Sequence, residues 1–262
     1  ILTPRLFGDS FWNNKDIIFL SFYVISIFWF FKLIDKQSIK NIILFSLFSA
    51  IATTIRIAGI FLPISLIFFW ILNFISKRKD IKIKTIFIYL ICFIIFLTIF
   101  WPLLWSNWPA NLFSILNLDM SWSGKVNFLG NYYKSSHLPQ YYLLFWIMIS
   151  TPIIHLLLFI HGMSNYSKRL ILRYFNIKSR SIYNDLWRSN NEKKDFLIFM
   201  NLVFFICLLS LLNIHLYNSW RLGYFLYIFL IYFSTYSIYL LVKKFKSQII
   251  KLFLILFLSI LF

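Results

Sequence analysis

Carboxylates are scarce in this sequence. The 262 residues hold eight Asp and Glu against 26 Lys and Arg, and only two Cys, six Gly and six Pro. Cys92 and Cys207 both fall in the middle of long apolar runs, where they read as small buried hydrophobes with no disulfide implied. The glycine-dependent signatures are missing: there is no Walker loop, no G-x-S-x-G and no G-x-G-x-x-G, which excludes the common soluble nucleotide-binding and hydrolase readings. The four histidines, His137, His155, His161 and His215, include no H-x-x-x-H pair, so packing or loop roles are expected of them rather than ligation.

What is present is apolar. Hydrophobic residues make up 61% of the chain, aromatics 22%, and Phe alone numbers 33. A soluble domain lies nearer half apolar. Repeated runs approach the ~20 residues a helix needs to cross a bilayer. They are continuous, whereas a β-barrel would alternate in ten-residue segments. The expected fold is an all-α polytopic transmembrane bundle of about seven or eight spans, with an interfacial outer loop.

The net charge of +18 invites a nucleic-acid reading, but its placement opposes one. The predicted spans are Ile17–Ile34, Ile42–Ile55, Ile57–Ile75, Thr85–Phe100, Tyr141–Ile160 with Pro152 inside it, Phe196–Ile214 and Leu222–Val242; an eighth run starts near Ile249. Taken alternately, the loops carry very different charge. One set holds 20 Lys and Arg; the other holds only Arg5, Lys15, Arg56, Lys125, Lys134 and Arg221. The basic set is expected to be cytoplasmic. The opening block, the Trp- and Tyr-rich loop 101–140 and the turn HLYNSWR are then expected to share the extracytoplasmic face of the plasma (inner) membrane. Trp and Tyr favour the membrane–water boundary, so interfacial helices or a re-entrant turn are expected in loop 101–140.

The candidate site residues lie on that sparse side. Asp16 stands at the lip of the first span, where it can cap the helix or contact a divalent cation or a substrate; a carboxylate there is costly unless it is wet, paired or cation-bound. Arg56 interrupts two apolar runs. It reads either as a snorkelling hairpin residue or as a fixed cation for a phosphate, which guanidinium matches in bidentate fashion. Arg221 opens the last full span and reads as an interface anchor or a phosphate contact, with Lys15 and Tyr217 as weaker candidates. The acidic residues of the basic side, Asp35, Asp80, Asp185, Glu192 and Asp195, are expected to be solvated loop charges.

These residues sit in recognisable stretches. PRLFGDSFWNNKDIIF resembles the P-R-(aromatic)-x-x-x-S-(aromatic)-x-N-x-K-D segment of bacterial GT-C glycosyltransferases, the multi-spanning enzymes related to protein O-mannosyltransferases and aminoarabinose transferases. TTIRIAGIFLP is similar to that family's arginine-bearing hairpin. FWPLLWSNWPANLF and WSGKVNFLGNYYKSSHLPQYYLLFWIMISTP resemble its long outer loop and following span, and LYNSWRLGYFLYIFLIY resembles its tyrosine–arginine turn. Asp9 and Leu222 depart from the family, where His is frequent at both places.

The resemblance implies transfer of a sugar from a polyprenyl-phosphate-linked donor to a glycan, lipid or protein acceptor, with inversion and general base catalysis. It implies a base on an earlier outer loop, so that 1–262 reads as one transmembrane GT-C-like domain lacking that N-terminal loop and a C-terminal part. It places Asp16 at the acidic position that helps hold a metal or the substrate, a divalent Mg or Mn being the cofactor such a position would accept. A lipid-linked substrate transporter or flippase is the rival of another class, and a surface-polysaccharide polymerase or ligase is a second. A conduit would carry charge at its span centres, and these centres are nearly free of it.

Overall fold

The computed structural model describes residues 4–75, 80–108, 110–111, 124–175, 187–211 and 219–245. Its elements are overwhelmingly helical, and among the described residues four helices are long and apolar enough to cross a membrane: Lys15–Asp35, Ile57–Ile75, Ile83–Phe100 and Arg221–Lys244. The protein is an all-α polytopic bundle, as its composition requires. The chain divides into two compact units, one formed by Ile1–Asn14 with Ser123–Phe262 and the other by Lys15–Trp122.

The Lys15–Trp122 unit is an up-and-down set of helices. Helix α2 (Asn14–Asp35) is followed by α3 (Ile39–Ile55), a 3-10 turn (Ile57–Ile60), α4 (Phe61–Ile75) and α5 (Ile83–Phe100). Ser38 caps α3 by accepting from the Asn41 backbone N–H at 3.3 Å. Asn41 in turn donates to the Lys32 and Lys36 carbonyls at 2.9 and 2.8 Å, a second bond to each beside the Lys36 and Ser38 backbone N–H groups, and so ties α3 to the end of α2. Gln37 ties this end to the next hairpin. Its amide donates to the Asp80 carbonyl at 2.7 Å and accepts from the Lys82 N–H at 3.0 Å and the Thr85 hydroxyl at 2.7 Å.

Aromatic rings fill the middle of this unit. Phe30 of α2 stacks on Phe45 of α3 at 4.8 Å, Phe45 stacks on Tyr89 of α5 at 4.6 Å, and Phe69 of α4 meets Phe30 edge-on at 6.4 Å. Apolar area alone does not hold helices together in lipid, so packing and interhelical hydrogen bonds must. Such ring pairs contribute about 0.5–1.5 kcal/mol each beyond area. The buried Ser49–Tyr89 hydroxyl pair, 2.8 Å apart, adds a polar tie between α3 and α5.

The other unit opens with α1 (Pro4–Trp12) and resumes at a hairpin of β1 (Lys125–Phe128) and β2 (Asn131–Lys134). Its register pairs Lys125 with Lys134, Val126 with Tyr133, Asn127 with Tyr132 and Phe128 with Asn131. Gly130 has φ +83 and Leu129 φ +51, the left-handed pair that closes a two-residue hairpin turn. Val126 and Phe128 are buried, and the Phe128 ring meets Tyr141, Tyr142 and Phe145. Where loop 101–140 is described it holds 3-10 turns at Pro102–Trp105 and Ser135–His137 and this β-hairpin, an element not expected there; residues 112–123 lie outside the described residues. Alternating K-V-N-F carries a period of two, which suits a strand with one buried face.

Helices α6 (Tyr142–Ser150) and α7 (Ile153–Phe175) divide the expected fifth span at Thr151–Pro152. Proline lacks the N–H that would continue the helix, so a break rather than a gentle kink results. Helix α7 continues to Phe175, so Lys168, Arg169 and Arg173 lie on a helix and not in the loop expected from residue 161. After α8 (Asn190–Leu211), a 3-10 turn (Arg221–Leu226) leads into α9 (Tyr227–Lys244). Helices α7 and α9 pack closely because Gly162 has no side chain: a Cβ there would collide with the Phe233 carbonyl. His161 Nδ1 pairs with the Ser237 hydroxyl at 2.7 Å and His155 Nδ1 with the Tyr227 hydroxyl at 3.2 Å, which gives both histidines the packing roles expected of them. His215, Cys207's side chain and the eighth apolar run lie outside the described residues.

At one end of α7 and α8 the charges interlock. Arg173 makes a bidentate pair with Glu192, both contacts 2.7 Å, and Glu192 also accepts from the Arg188 N–H at 2.7 Å. Asp195 accepts from Arg169 at 3.0 Å and from the Tyr232 hydroxyl at 2.7 Å. The Arg169 guanidinium lies over the rings of Tyr166 and Tyr236 at 4.9 and 5.7 Å. Glu192 and Asp195 are thus not the solvated loop charges expected. The bond from Arg173, against the opposing effect of burial, lowers the Glu192 carboxyl to about 2.

Candidate functional site

Asp16 and Arg56 meet. Helix α2 begins at Asn14, so Asp16 stands inside its first turn rather than at the capping position, where the helix dipole still favours a negative charge. Arg56 closes α3 with an extended backbone (φ −145, ψ 133), its own N–H bonded to the Ala52 carbonyl at 3.0 Å. The Gly59 N–H then bonds the Arg56 carbonyl at 2.9 Å. A Cβ on Gly59 would lie against the Thr53 backbone, 2.6 Å from its Cα. Only glycine lets the chain fold back so tightly, and that fold fixes where Arg56 projects. Its guanidinium forms an ion pair with the Asp16 carboxylate, Nη2 to Oδ1.

The two partners differ in exposure. Asp16 is buried, with a side chain 1% exposed, while Arg56 remains 21% exposed. A carboxylate taken out of water needs a partner of opposite charge. The guanidinium serves that need with one of its five donors. Its buried Nε makes no hydrogen bond among the described residues. The arrangement is a fixed cation anchored on one side by a carboxylate, with donor capacity left over.

This donor set does not fit a divalent ion. The Asp16 carboxylate faces a guanidinium, which competes with a metal for the same oxygen. Among the described residues no group of three or more His, Cys, Asp or Glu gathers, and a hard cation needs several oxygen ligands. Lys15 is exposed on the first turn of α2.

The remaining candidates belong to the other unit. Arg221 starts the 3-10 turn and is half-buried; Tyr217 and Asp119 lie outside the described residues. The turn is braced from behind. Trp220 is fully buried and donates from its indole N–H to the Ser150 hydroxyl at 2.6 Å. The Ser219 N–H, on a residue at φ +61, donates to the Tyr142 hydroxyl at 3.1 Å. Three residues on from Arg221, which in a 3-10 helix is the same face, Tyr224 donates its hydroxyl proton to Asp9 and accepts from Arg5 Nε at 2.8 Å. Arg5 and Asp9 are one turn apart on α1.

Sequence reasoning did not bring this Arg5–Tyr224–Asp9 group together. The signals were the i, i+4 spacing of Arg5 and Asp9 and the i, i+3 spacing of Arg221 and Tyr224. Neither says which distant element it faces.

The long apolar helices among the described residues mark a membrane protein. Residues 2–105 match the model of the dolichyl-phosphate-mannose-protein mannosyltransferase family, which is of GT-C type. The match bears out the resemblance to GT-C glycosyltransferases, covers both Asp16 and Arg56, and supports a glycosyltransferase kind of activity. Comparison with curated proteins and with solved structures finds no match.

Proposed function

We propose that the protein is a multi-pass glycosyltransferase that moves a sugar from a polyprenyl-phosphate donor to an acceptor at the extracytoplasmic rim of the plasma membrane, with inversion. The observation that carries this reading is the Asp16–Arg56 pair, formed within the stretch that matches the mannosyltransferase family. A polyprenyl-phosphate sugar keeps its tail in lipid and its phosphate at the interface. The phosphate leaves with an added negative charge, and a preorganised cation stabilises that charge more in the transition state than in the ground state.

In this reading Arg56 receives the phosphate, and Asp16 holds the guanidinium at that depth and contacts the substrate. Lys15 contributes a further substrate contact beside this pair; Arg221 and Tyr217 are proposed as substrate contacts within their own unit. The acceptor hydroxyl attacks the anomeric carbon as a carboxylate takes its proton; no residue described here is assigned that base role. The 20 Lys and Arg residues gathered between alternate apolar runs support the sidedness, since positive charge collects at the cytoplasmic boundary.

The test is to incubate the full-length protein in lipid nanodiscs with polyprenyl-phosphate sugars and an acceptor mixture, and to measure released polyprenyl phosphate. Release that falls by about 100-fold or more in Asp16→Asn, with an unchanged elution profile, supports the reading. Unchanged release in that variant removes Asp16 from the site. Movement of intact donor across the bilayer without release identifies a flippase instead.

A further inference from the structure

The β1–β2 hairpin has a face that its own fold does not explain. The other face is spent on packing: Val126 and Phe128 are buried, and the Phe128 ring meets Tyr141, Tyr142 and Phe145. The opposite face carries Lys125, Asn127, Tyr132 and Lys134, all exposed, with Tyr132 at 73%. In the register of the ladder Lys125 is directly opposite Lys134 and Asn127 directly opposite Tyr132. Like charges directly across an antiparallel pair oppose each other and weaken it. Among the described residues neither lysine makes an ion pair. The two lysines share one exposed face of the ladder, and the hairpin has no acidic residue to answer them.

We propose that this face docks an acidic saccharide, a sugar bearing a carboxylate or a phosphate. Two facing ammonium groups supply the countercharge. The phenol ring of Tyr132 offers a flat apolar surface for the C–H face of a sugar ring, and the Asn127 amide offers both a donor and an acceptor to its hydroxyls. Opposite side chains stand about 5 Å apart and successive pairs on one face about 7 Å apart. The patch therefore has the dimensions of one monosaccharide rather than of a membrane footprint. A lipid-seated surface would turn apolar side chains outward, whereas here Val126 and Phe128 point the other way and Leu129 is exposed at the turn, off the face. The ligand's role as sugar acceptor rests on the glycosyltransferase reading; its binding does not.

Binding separates the two. The full chain, in phosphatidylcholine nanodiscs without donor, is titrated with tri-galacturonic acid, with its carboxyl-reduced neutral trisaccharide, and with mannose 6-phosphate against mannose. At least one acidic probe is expected to bind about fivefold tighter than its neutral counterpart. The double variant Lys125→Gln, Lys134→Gln should lose that preference, Lys125→Arg with Lys134→Arg should retain it, and Tyr132→Ala should weaken acidic and neutral probes alike. These side chains are exposed, so folding is preserved, and the melting temperature verifies it. Equal binding of both acidic probes and their neutral partners overturns the proposal, as does a preference that survives the double glutamine variant. Loss of phosphatidylglycerol from that variant in native mass spectrometry, with saccharide binding unchanged, assigns the face to lipid and overturns it equally. Failure of sugar transfer in the earlier experiment leaves these outcomes untouched.

Discussion

Two sets of ion pairs in this molecule use the same residue types to different ends. At the end of α7 and α8, two carboxylates answer two guanidiniums: Glu192 takes both arms of Arg173 and a backbone N–H, and Asp195 takes Arg169 and the Tyr232 hydroxyl. Between α2 and α3 a single buried carboxylate answers a single guanidinium, whose Nε makes no hydrogen bond among the described residues. A saturated network orders helices and has nothing left to offer a ligand. An unsaturated pair at the mouth of a span can still accept one.

The contrast is sharpest in transfer activity. Arg56→Gln should abolish sugar transfer, with a loss of about 100-fold or more, while Arg56→Lys should recover a small part of it because an ammonium cannot reproduce the bidentate fork. Arg173→Gln should leave transfer per folded molecule unchanged, as measured by released lipid phosphate. Equal losses in Arg56→Gln and Arg173→Gln would erase the distinction.

The network should show itself in stability instead of transfer. Removing one partner of a buried pair costs about 3–5 kcal/mol when it strands the other, and Glu192 and Arg173 are each 19% exposed, so Glu192→Gln should lower the melting temperature by several degrees. Its pH dependence has a definite sign. The folded carboxyl lies at about 2 against an ordinary 4.5, so its contribution is complete above about 4.5 and is lost as the pH falls toward 2. Melting followed from pH 6 to pH 3 should show a steep acid limb in the parent and a flatter one in Glu192→Gln.

Smaller effects are expected from the packing glycine and the tyrosine bridge. Gly162→Ala pushes a methyl group into the Phe233 carbonyl and should cost about 1–3 kcal/mol, seen as a lower midpoint in detergent unfolding. Tyr224→Phe removes the hydroxyl shared by Arg5 and Asp9. It should change the donor KM by a fewfold with little change in kcat, which would mark that group as orienting the turn beneath Arg221.

Helix positions were readable because the apolar runs are long. The predicted spans at 17–34, 57–75 and 85–100 correspond to helices Asn14–Asp35, Phe61–Ile75 and Ile83–Phe100 with small shifts at the ends. The hairpin in loop 101–140 was not foreseen because β1 is only four residues, too short for its alternation to stand out beside Trp- and Tyr-rich neighbours. The start of the basic loop was misread because positive charge marks the membrane boundary, not the end of a helix: α7 runs through Lys168, Arg169 and Arg173. Asp16 and Arg56 could be nominated singly from their cost in an apolar setting. Their pairing needed the fold, since 40 residues separate them and Gly59 sets the direction of Arg56.

The Gln37 amide sets an order of events at the ribosome. Its partners Asp80, Lys82 and Thr85 follow it by 43, 45 and 48 positions. At roughly 5–20 residues per second of synthesis, that amide waits several seconds after translation before its neighbours emerge. Until then this side chain has only water to bond, and the latch between the two helical hairpins closes once the second has been made.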